Sequence, residues 1–129
     1  MDVRRAFGIS RMAVGGFTWL APRASGHAFG LGDLGADSRA AVVARLFGAR
    51  DLMLGAAVIA ANEPEALQSA LALGVAVDLL DVIATVLGVR RGVSKHAAVG
   101  VGLGAAAFAA CGIALLVRGE PSRPPIGGV

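Results

Sequence analysis

From Ala97 to Val117 the chain runs without a single charged residue. As a helix rising about 1.5 Å per residue, that run reaches across a hydrocarbon core of roughly 30 Å. The surrounding composition agrees: 56% of residues are hydrophobic, 16% are charged, and the mean hydropathy is +0.72. A soluble domain carries about 25% charged and 45–50% apolar residues. One Asn (Asn62), one Gln (Gln68) and no Tyr leave too few polar groups to cover a water-soluble surface.

Three further apolar stretches complete an all-α, four-helix transmembrane bundle in one domain, with helices expected over about 6–21, 40–61, 66–88 and 97–117. Asp37 or Ser38 is available to cap the second, and Asn62 with Glu65 resembles a capping box for the third. The first is short, holds Arg11 and ends at Pro22; a signal peptide or a surface-lying amphipathic helix are its alternatives. Residues 22–39 form the longest connection, rich in glycine, and 118–129 read as a disordered tail. The loop at 89–96 carries Arg90, Arg91 and Lys95, while the one before it carries Glu63 and Glu65. The positive-inside rule therefore sets loop 89–96 in the cytoplasm of a multi-pass protein of the cell membrane.

Charges inside apolar stretches are costly, so they pair, face a bundle interior or line a pathway. They are Arg11, Arg45, Arg50, Asp51, Asp78 and Asp81. Asp78 and Asp81, three apart, share a helical face with Gly74 and Thr85; Asp51 shares one with Gly48 and Gly55. Three positive and three negative groups suit mutual neutralisation in a buried ion-pair network. A proton or solute pathway through Asp78 and Asp81 is the alternative. Gly8-x-x-Arg11-x-x-x-Gly15 repeats the spacing of Gly48-x-x-Asp51-x-x-x-Gly55. In the last helix Gly100 and Gly104 form a small-residue packing motif.

Other chemistries lack their residues. Gly30-Leu-Gly32-Asp-Leu-Gly35 matches a dinucleotide fingerprint in letters only, since no strand precedes it. His27 and His96 stand in separate loops without partners at zinc spacing, so neither metal nor other cofactor is expected. No serine lies in a nucleophile-elbow context. The pI near 10.4 comes from dispersed basic residues, which argues against nucleic acid. Cys111, the single cysteine, reads as a packing residue.

The run Arg45-Leu-Phe-Gly-Ala-Arg-Asp-Leu-Met-Leu-Gly55, followed by the Asp78 and Asp81 helix, resembles a family of small bacterial four-helix membrane proteins. That family, common in high-GC actinobacteria, is of unknown function; Gly8-Ile-Ser-Arg11-Met-Ala-Val-Gly15 is similar to its first helix. More distantly the layout resembles the DoxX group. The resemblance implies a fold and a location but no catalytic residues. The expectation is a non-catalytic membrane component, an accessory subunit or homo-oligomer whose partners are the lipid bilayer and other membrane subunits. A minimal proton-coupled or small-solute transporter is the alternative.

Overall fold

The structure is a computed structural model that describes residues 2–119. Of the tail expected over 118–129, Arg118 ends the last helix and Gly119 caps it, and the remainder lies outside the described residues. The described residues form five helices: α1 (Val3–Leu20), α2 (Pro22–Ala28), α3 (Ser38–Ala60), α4 (Pro64–Arg90) and α5 (Lys95–Arg118). Among the described residues there is no strand.

Local chemistry sets the boundaries. The Asp2 side chain accepts from the Arg4 amide, Asp37 from Arg39 and Ser94 from Ala97, each satisfying an orphan donor at a helix start. Pro22 and Pro64 occupy first-turn positions, where the missing N–H is not needed and φ is already helical. Pro64 therefore makes Glu63 the cap of α4, without a side-chain bond, and the expected Asn62 capping box does not form.

The connection expected to be one long loop contains a helix of its own, α2. Pro22 starts it, and Ser25 and Gly26 are buried beneath the segment that follows. A Cβ on Gly26 would lie 2.7 Å from Leu34 Cγ, so the turn closes over a bare backbone. Gly30 and Gly32 have φ of 73° and 76°, the left-handed region open to glycine. The fingerprint-like glycines are thus a tight turn.

The long helices form two antiparallel pairs. α1 lies along α3, with Gly8 facing Gly55 and Gly15 facing Gly48. α4 lies along α5, with Val75 beside Gly112 and Thr85 beside Gly102. The pairs touch each other much more sparingly. Toward the start of α1 they share an apolar cluster of Phe7, Val58 and Leu71, flanked by Phe108, Leu115 and Leu116. Midway lies a layer of charges. Beyond it the pairs part, and α2 with residues 29–34 covers the gap.

Burial runs opposite to that of a water-soluble protein. Arg11, Asp51, Asp78, Thr18 and Ser25 are buried, whereas Ile9, Trp19, Leu46, Met53, Leu80, Ile83, Leu103 and Ile113 are exposed. α4 and α5 are each long and apolar enough to cross a membrane.

Candidate functional site

The two matching glycine motifs build the site. Gly8, Gly15, Gly48 and Gly55 form the α1–α3 seam, seven residues apart on each helix and so on one face. The backbones touch there. A Cβ on Gly15 would lie 2.6 Å from the Gly48 oxygen, and one on Gly48 equally close to the Gly15 oxygen. Such an approach is what small residues permit between helices. Arg11 and Asp51, the charges inside the two motifs, are carried together by this contact. Arg11 Nη2 donates to Asp51 Oδ1 at 3.1 Å.

From the opposite side α4 presents Leu71, Gly74, Asp78, Asp81 and Thr85 along one face. Arg11 reaches across to Asp78 through both terminal nitrogens, Nη1 donating to Oδ2 at 2.8 Å and Nη2 to Oδ1. The fork geometry of guanidinium matches the carboxylate, which makes this the strong form of the interaction. Gly74 lies beside it, where even a Cβ would stand at ordinary contact distance, 3.5 Å from Arg11 Nη1. Arg11 is 1% exposed and Asp78 2%. One turn further along, Arg50 donates to both oxygens of Asp81, at 3.0 and 2.7 Å. Aromatic rings complete both cations, with Phe108 5.0 Å from the Arg11 guanidinium and Phe47 4.0 Å from that of Arg50. Both forks therefore tie the α1–α3 pair to α4.

The set is not balanced. Arg45 is exposed on α3, away from the layer. Two guanidinium groups thus face three carboxyl groups, so one acid lacks a guanidinium of its own. Asp51 is the carboxylate short of partners. Its Oδ1 takes the single bond from Arg11 and lies 3.9 Å from Arg50 Nη2, while Oδ2 accepts no hydrogen bond among the described residues.

Above this layer is a cavity of about 450 Å³ between the helix pairs. Asp51, Asp78 and Asp81 form its floor, and Val14, Phe29, Leu34, Val43, Phe47, Val101 and Phe108 are among its walls. Gly104, expected to pack against a neighbouring helix, has no atom within 4 Å of where its Cβ would stand and lines the cavity instead. Gly100 meets the backbone of Phe29, so it seats the roof on α5. The roof is braced by an exposed pair, Arg23 Nε to Asp33 Oδ2 at 2.8 Å. Desolvation raises the Asp33 carboxyl, but the Arg23 and Gly35 hydrogen bonds and the charges of Arg23 and His27 outweigh it and hold it below the ordinary value.

Sequence reasoning marked Arg11, Arg50, Asp51, Asp78 and Asp81, and the structure brings these five together. It missed Phe47 and Phe108, because aromatic spacing says nothing about which cation lies over a ring. It also missed Arg4, whose guanidinium binds the Val58 and Ala61 carbonyls at the end of α3. The signal was available: a helix C-terminus attracts a cation. No group of three or more metal-ligating side chains occurs among the described residues.

No family model, curated protein or solved structure matches this chain.

Proposed function

We propose that this protein is a four-span integral membrane component in which the Arg/Asp layer clamps two helix pairs together. The observation that carries the reading is the reversed burial: all four long helices turn large apolar side chains outward, while Arg11, Asp51 and Asp78, at mid-helix in α1, α3 and α4, are buried. Water-soluble monomers rarely expose apolar patches beyond a few hundred Å². In a bilayer those side chains meet lipid, and the charges are sheltered. With 18, 23, 27 and 24 residues, α1, α3, α4 and α5 reach about 27 to 40 Å, the scale of the hydrocarbon core. The end carrying Arg90, Arg91 and Lys95 also carries Arg23 and Arg39, which supports a cytoplasmic position for loop 89–96.

As a non-catalytic component, the protein serves as an accessory subunit or assembles with copies of itself. The carrier reading draws support from a different feature, the cavity between sparsely joined pairs. Cys111 tests the membrane reading. It is exposed on α5, so in intact membranes a water-soluble maleimide should leave it unlabelled and label it after denaturation. A monodisperse product purified without detergent overturns the reading.

A further inference from the structure

We infer that the cavity between the helix pairs is a binding site for a lipophilic organic monocation. Three linked observations converge on it. The buried layer holds one carboxyl group more than it has guanidinium groups. That excess is carried by Asp51, 5% exposed, whose Oδ2 accepts no hydrogen bond among the described residues. And the side chain lines a cavity of about 450 Å³ whose remaining walls are almost wholly apolar.

A carboxyl group that shares one guanidinium and borders an apolar cavity gains from a second partner of opposite sign, since buried charge is costly unless well paired. Metal ions suit this place poorly. A hard dication wants several oxygen ligands, and the oxygens of Asp78 and Asp81 are already taken by Arg11 and Arg50. An amine or onium group needs only one anionic neighbour and brings its own apolar body. The volume lies within the range of roughly 300–1,000 Å³ for small-molecule sites, which are apolar with a few convergent polar groups. Asp51 fixes the cationic head, and Val14, Leu34, Val43 and Val101 take the body. Asp78 and Asp81 stay committed to the clamp, so binding does not dissolve the helix contacts.

Tetraphenylphosphonium is a suitable probe, a permanent monocation with an apolar shell; triphenylphosphine oxide, one phenyl smaller and uncharged, is the comparison, and Asp51→Asn separates charge from size. The full-length protein in detergent micelles should bind the cation at least tenfold tighter than the oxide, by equilibrium dialysis corrected for empty micelles. Asp51→Asn removes the extra carboxyl group and keeps an oxygen for Arg11, and should erase that preference. Gly104→Leu fills open space on the cavity wall without touching the charged layer, and should weaken the cation tenfold or more. It carries the test if Asp51→Asn does not fold. Equal affinity for the two probes, or unchanged cation binding in Gly104→Leu, overturns the proposal. The inference leans on the membrane reading only for how the ligand arrives. A protein that stays monodisperse without detergent removes that reading, while the binding comparison stands or falls by itself.

Discussion

The α1–α3 seam and the seam between the helix pairs solve the same problem by opposite means. Along α1–α3, four glycines let two backbones meet, and shape complementarity does the holding. Between the pairs there is little such contact, and two guanidinium forks onto α4 span the gap. The first seam depends on the absence of side chains and tolerates no new ones. The second depends on two long side chains and leaves space beside them. A cavity can exist only next to the second kind.

Charge loss at the second seam should have the largest effect. Arg11→Met strands Asp78 and Asp51 without their cation, and breaking a buried pair from one side costs about 3–5 kcal/mol. The thermal midpoint in detergent should fall far, and Asp78→Asn added to the same chain should restore part of it. An unaltered midpoint would remove the clamp. Next comes the glycine seam. Gly15→Ala sets a methyl against the Gly48 oxygen, and overpacking of this sort costs about 1–3 kcal/mol or somewhat more against rigid backbone. Gly104→Ala, the control in open space, should be neutral or slightly stabilising. If the two alanines behave alike, the seams do not differ as described.

Arg45→Ala should change stability by no more than about 0.5 kcal/mol, as for surface substitutions without partners. A fall as large as that of Arg50→Ala would place Arg45 in the network after all. The smallest effect concerns the roof. The Asp33 carboxyl titrates below its unfolded value, so its stabilising contribution is present above that value and lost as pH falls through the folded one. The Gly35 amide, which donates to Asp33 Oδ1 at 2.9 Å, should report it as a chemical-shift change on acidification that Arg23→Gln moves to higher pH.

Much of the fold was legible because apolar runs and cap residues are local signals. Asp37, one of the two caps the sequence offered for the second long helix, stands where α3 begins. α2 was hidden because a seven-residue helix with glycine inside carries no apolar period; Pro22 alone marked it. The site was legible residue by residue, since five charges in apolar surroundings are conspicuous in any order. Their pairing was not. The sequence balance of three against three included Arg45, and only the direction in which each side chain leaves its helix separates Arg45 from Arg50. The spacing shared by the Gly8 and Gly48 motifs looked like a repeat. In space it is a contact: the same pattern, run antiparallel, brings glycine onto glycine and arginine beside aspartate.

Arg11 lies forty residues before Asp51 and sixty-seven before Asp78. If the four-span proposal holds, α1 reaches the translocon during synthesis with an unpartnered guanidinium at its middle, a residue type that costs about 2.5–3.5 kcal/mol at a helix centre. On the four-span reading, α1 is a poor passenger by itself and becomes a good one when α3 arrives. Its integration is then a joint event with α3, and Asp51 acts first as an admission partner for Arg11 and only later as a wall of the mature cavity.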